Sequence, residues 1–84
     1  MNNRVFTIAN NQLRVEKTGT LVPVGEPVFI LRACDTQALS TIRVYQSTMR
    51  PKSEGWKIIQ DVIEDFTIFL KENRDKMGSP NDVY

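Results

Sequence analysis

From Ser53 onward one pattern dominates the chain. Trp56, Ile59, Ile63, Phe66 and Leu70 recur at alternating steps of three and four residues, the spacing that lines one face of an α-helix. Ile58, Val62 and Phe69 widen that stripe to nearly half the circumference. Ser53 offers a capping hydroxyl and Glu54 places a negative charge in the first turn. Gly78 and then Ser79-Pro80 mark the end. The spacing therefore predicts a helix over residues 53–77. A helix with so wide an apolar face needs a covering. A chain of 84 residues holds one domain, so the covering comes from the preceding residues or from another chain.

The preceding residues supply candidates. Residues 4–9 (RVFTIA) are rich in β-branched and aromatic side chains, and residues 12–17 (QLRVEK) alternate apolar and polar. Both read as strands, and Asn10-Asn11 between them tolerates the positive φ angles of a tight hairpin turn. Residues 21–24 contain Pro23, which cannot donate to a ladder, so they read as an edge strand or an extended connection. Gly25-Glu26-Pro27 reads as a turn. Residues 28–33 (VFILRA) carry four bulky apolar residues in succession and read as a central strand buried on both faces. Asp35 then reads as the cap of a helix over residues 35–50, with Leu39, Ile42, Tyr45 or Gln46, and Met49 at helical spacing, and Pro51 stops it. The expected fold is α+β over residues 1–84. Strands occupy residues 1–34, with the N-terminal hairpin and the central strand 28–33 in one small antiparallel sheet. A two-helix hairpin packs on that sheet, and residues 78–84 form a loose tail.

Composition removes several chemistries. The chain has no histidine and one cysteine, Cys34. Ser–His and Cys–His nucleophilic pairs are therefore excluded, and a structural zinc site nearly so. The four glycines stand apart at positions 19, 25, 55 and 78 and form no phosphate loop. Asp61, Glu64 and Asp65 lie close on the second helix but match the acidic runs common on helix surfaces. No catalytic residue, metal site or cofactor is expected, and the chain reads as non-enzymatic. No apolar run reaches the roughly 18 residues of a membrane helix. The start, MNNRVFTIANNQ, lacks a signal-peptide core. With a single cysteine, this points to the cytosol.

Charge is uneven. Residues 1–52 carry seven basic and three acidic side chains, and residues 53–84 carry four basic and seven acidic. Arg32 closes the apolar run, where a guanidinium needs a partner. That partner is either Asp35 or Glu26 of the same chain, or a ligand's phosphate or carboxylate. Arg43 and Arg50, seven residues apart, share a face of the expected first helix, and Lys52 follows. With Arg32 and Tyr45 they make either a solvated basic face or a cluster that holds phosphates while a ring stacks on a base. Near-neutral net charge and the lack of a basic recognition helix argue against duplex nucleic acid. Trp56 reads as core and Cys34 as a small buried hydrophobe. Ile58, Ile68 and Phe69 exceed what one short helix and a small sheet can cover, so a symmetric homo-oligomer is expected.

Residues 25–35, GEPVFILRACD, resemble a block of small phage-encoded proteins, in which an apolar strand ending Leu-Arg-Ala-x-Asp precedes two helices. Such blocks often place a proline after the first helical turn, where this chain has Ser40. Some compact phage proteins of this kind are anti-defence sponges that sequester nucleotide signals of bacterial immunity, such as cyclic nucleotides or cyclic ADP-ribose derivatives. The resemblance implies an oligomeric binding protein acting in a host cytosol, with Arg32 as the one position in the block able to touch an anion. The alternative is an interaction module that docks on a host protein through the apolar face of the second helix.

Overall fold

A computed structural model describes residues 4–84, so residues 1–3 of the expected domain lie outside the described part. Two strands, β1 (Phe6–Ala9) and β2 (Gln12–Val15), pair antiparallel with Phe6 opposite Val15 and Ala9 opposite Gln12. Asn10 and Asn11 take φ values of 51° and 63°, the positive pair that a tight hairpin turn of the primed type demands. The free edge of β2 is then occupied by the chain's own continuation. Gly19, at φ 74°, turns the backbone. The Val15 N–H donates to the Thr20 carbonyl, the Val22 N–H to the Leu13 carbonyl, and Leu21 bridges Arg14. Pro23 ends this contact because it has no N–H to offer. A turn follows, closed by the Glu26 N–H on the Pro23 carbonyl.

The expected central strand is corrected here. Residues 28–31 form no strand and pair with none among the described residues. Val28, Phe29 and Ile30 are exposed, Phe29 at 78%. β-Propensity measures how well a side chain suits a pleated, half-covered surface; it does not provide the neighbouring strand. The edge of β2 that could have received this run is already taken by residues 20–22. The sheet is thus two-stranded, and the fold remains a small α+β one.

Helix α1 spans Ala38–Ser47 and helix α2 spans Glu54–Glu72. Helix α1 starts later than the expected residue 35. Asp35 Oδ1 accepts the Gln37 N–H at 2.8 Å and the Asp35 carbonyl accepts the Ala38 N–H, so Asp35 caps a turn leading into the helix. Helix α1 also ends three residues short of residue 50. The N–H groups of Thr48 and Met49 reach back only three residues, to Tyr45 and Gln46, and Lys52 turns the chain at φ 62°. Ser53 caps α2 as expected, its Oγ accepting the Trp56 N–H at 3.3 Å.

Helix α2 stops at Glu72 because Asn73 leaves the helical region, with φ −135° and ψ 43°, and donates both its N–H and its Nδ2 to the Phe69 carbonyl. A local side-chain bond of this kind competes with helix propagation. One 3-10 turn (Arg74–Lys76) and a short helix α3 (Pro80–Val83) follow. Gly78 is therefore not the helix cap expected of it. It pairs in parallel with Asp35, and an added Cβ there would lie 3.3 Å from Val83 Cγ2. Pro80 starts a helix rather than merely forbidding one, as suits a residue with fixed φ and no N–H.

The core lies between α1 and α2. Ala38, Ile42 and Ile63 are buried, with Leu31, Leu39, Ile59, Val62 and Phe66 packed around them. Gln46, not Tyr45, completes the inner face of α1, because its amide nitrogen reaches the Trp56 carbonyl and Gln60 Oε1. The helices pack on each other. The hairpin faces the first half of α2 across an open cleft of about 810 Å³, lined by Val5, Val15, Lys17, Glu54 and Ile58 among others. An ion pair between Lys17 and Glu54 spans it. No helix among the described residues is long and apolar enough to cross a membrane.

Candidate functional site: the junction of residues 28–35 with the C-terminal segment

The expected loose tail is corrected as well: residues 78–84 are docked. The Gly78 N–H donates to the Cys34 carbonyl at 2.8 Å, and the Thr36 N–H donates to the Gly78 carbonyl at 2.9 Å. Past α3 the chain delivers Tyr84 back onto Arg32 and Asp35. The Tyr84 hydroxyl accepts the Arg32 backbone N–H at 2.8 Å and donates to Asp35 Oδ2 at 3.1 Å. Asp35 is only 4% exposed, and its two carboxylate oxygens are taken by Gln37 and Tyr84. A buried carboxylate is tolerated on these terms.

The partner of Arg32 is neither Asp35 nor Glu26. Its Nη1 donates to the Val83 carbonyl at 2.9 Å. A guanidinium has five N–H donors in a planar fork, and this exposed side chain has no other hydrogen-bond partner among the described residues. Tyr84, which accepts the Arg32 backbone N–H, sets its ring 5.9 Å from that of Phe29 at 42°; Phe29 is largely open to solvent and Tyr84 about half so. A guanidinium anchored on the Val83 carbonyl offers charge-assisted bonds to an anion, and the neighbouring residue Tyr84, with Phe29, offers ring surface for a planar group.

The other residues singled out from the sequence are not gathered here. Arg43 lines a shallow hollow against α2 with Gln60, Ile63, Glu64, Thr67 and Ile68. Tyr45 points outward from α1. Arg50 does not share a helical face with Arg43, because α1 has ended at Ser47. Arg50 and Lys52 occupy the connection to α2, separated from Arg32 by the whole of α1, about 15 Å of helix. All four basic residues are exposed. Among the described residues no three carboxylate, thiol or imidazole groups are placed to hold a metal ion. Sequence reasoning missed Tyr84 and the pairing role of Phe29. The pattern Ser79-Pro80, a hydroxyl followed by proline, is the signal that a further helix begins there. The chain matches no known protein family, no curated protein and no solved structure.

Proposed function

We propose that this chain is a non-enzymatic binding protein that captures an anionic, nucleotide-type signalling ligand, with Arg32 as the anion contact and the Phe29 and Tyr84 rings as the stacking surface. The observation that carries this reading is the Arg32 side chain. It is held at one N–H by the carbonyl of Val83, the residue before Tyr84, and leaves the rest of its fork open, while the Tyr84 ring pairs with that of Phe29. The resemblance of residues 25–35 to small phage-encoded anti-defence proteins supports the same reading, in which an oligomer sequesters a signal of bacterial immunity in the host cytosol. Arg43, Tyr45, Arg50 and Lys52 contribute a second basic stretch along and beyond α1. Calorimetric titration against a panel of cyclic di- and trinucleotides and cyclic ADP-ribose isomers tests it. Binding by one of them, weakened at least about tenfold in Arg32→Ala, is the expected result, since a charged hydrogen bond contributes about 1.5–3 kcal/mol. Flat traces across the panel refute it.

A further inference from the structure

The junction balances little negative charge. Residues 28–36 and 78–84, the two segments that meet there, contain Arg32 as their single lysine or arginine, with Asp35 and Asp82 as acids. Arg50 and Lys52 lie past the far end of α1, about 15 Å of helix on. A phosphodiester group carries one negative charge, and a desolvated charge without a partner is costly. One guanidinium therefore answers one phosphate.

The open part of the Arg32 fork agrees with that count. Nη1 is the nitrogen held by the Val83 carbonyl, at 2.9 Å. Nε and Nη2 have no partner among the described residues. Their N–H groups lie side by side along one edge of the planar group, the geometry that grips two oxygens of a single phosphate.

The rings accept one base. Their 5.9 Å separation lies within the range in which aromatic rings pack on each other, and their planes are tilted by 42°. They enclose no slot, so a base stacks on an outer face. Phe29 offers the more open one, 78% exposed against 53% for Tyr84. Phe29 and Arg32 are three residues apart, with at most roughly 11 Å between their Cα atoms. Tyr84 ties them together, its ring on Phe29 and its hydroxyl on the Arg32 N–H.

We propose that each chain reads a single nucleotide unit of its ligand: one phosphodiester on the Nε–Nη2 edge of Arg32 and one base on Phe29. The rest of a larger cyclic nucleotide stays in solvent. This deepens the binding function proposed above and rests on it.

Calorimetry on the full chain tests the proposal. The probes are the 3′,5′-cyclic mononucleotides of adenine, guanine, cytosine and uracil, the cyclic dinucleotides with two copies of each base, the four nucleosides, and inorganic phosphate. For at least one base the cyclic mononucleotide and dinucleotide bind within about threefold of each other. Its nucleoside and inorganic phosphate each bind at least about tenfold more weakly, since each lacks one of the two contacts. Phe29→Ala weakens both cyclic forms about tenfold and equally. It keeps its helical circular dichroism, because Phe29 lies outside the helical core. Should that variant lose its helicity, the comparison of cyclic forms on the unaltered protein decides. Any cyclic di- or trinucleotide or cyclic ADP-ribose isomer that binds more than about tenfold tighter than every cyclic mononucleotide overturns the proposal and leaves the binding function standing. So does inorganic phosphate bound as tightly as the cyclic mononucleotide, or a folded Phe29→Ala variant of unchanged affinity. Silence from every probe and from the wider panel overturns both.

Discussion

The substitution Tyr84→Phe removes one oxygen and keeps the ring, which isolates the hydrogen bonds that dock the C-terminal segment. That oxygen makes two bonds, accepting from the Arg32 N–H and donating to Asp35 Oδ2. The two losses are unequal. Arg32 is exposed, so water replaces the acceptor on its N–H. Asp35 is almost wholly buried, and its Oδ2 would lose its only donor among the described residues. A hydrogen bond to a charged group contributes about 1.5–3 kcal/mol. Because Tyr84 itself is half exposed and water gains partial access, the net cost expected is about 1–2 kcal/mol. For a domain of this length that lowers Tm by roughly 4–16 °C. Urea denaturation at one fixed protein concentration measures it. A double-mutant cycle with Asp35→Ala then assigns the effect. The coupling between the two positions should be about 1 kcal/mol or more, since each single change breaks the same bond. A Tyr84→Phe variant within about 0.3 kcal/mol of the parent, with no coupling, refutes the docking argument and returns residues 78–84 to the loose tail that the sequence suggests.

Ile63→Ala should cost about 2–5 kcal/mol by emptying part of a three-residue core. In so small a protein that suffices to unfold most of it, seen as loss of helical circular dichroism at 25 °C. The contact between hairpin and α2 should depend on pH and salt. Lys17 donates a hydrogen bond to Glu54, and its charge adds to this, so the Glu54 carboxyl is held below its ordinary value. A group whose folded value is depressed stabilises the fold above its unfolded value, and that contribution is lost as pH falls through the folded value. Amide exchange of the β1–β2 hairpin should therefore quicken on acidification and on adding salt, and Glu54→Gln should remove most of that response. The same pH response in Glu54→Gln would show that another group holds the hairpin.

The elements that proved legible are those set by neighbours in the chain. Asn10-Asn11 closes a hairpin because asparagine accepts positive φ at both turn positions. Ser53 starts α2 because its hydroxyl lies three residues before an unpaired N–H. Ile59, Ile63 and Phe66 face α1 because 3.6 residues make a turn. The choice between Tyr45 and Gln46 was not legible, since either suits the spacing. Gln60 and the Trp56 carbonyl, distant in the chain, decided it. The end of α2 depended on Asn73 bonding to Phe69, a competition that periodicity does not register.

The run VFIL separates the two kinds of information most clearly. Composition alone predicted a buried strand at residues 28–31, because branched and aromatic side chains suit the pleated conformation and lose by facing water. Whether a strand of the same chain lay beside them was a tertiary matter. Residues 20–22 lie along the edge of β2, and residues 28–31 pair with no strand among the described residues. Arg32 follows the same division. Its position after an apolar run determined that it would need a partner. Only the return of the C-terminal segment, guided by the Asn73 break and the Gly78 contact with Asp35, decided that this partner is the Val83 carbonyl. Local patterns reflect conformational preference over a few residues, whereas pairing depends on which segments the tertiary structure brings together.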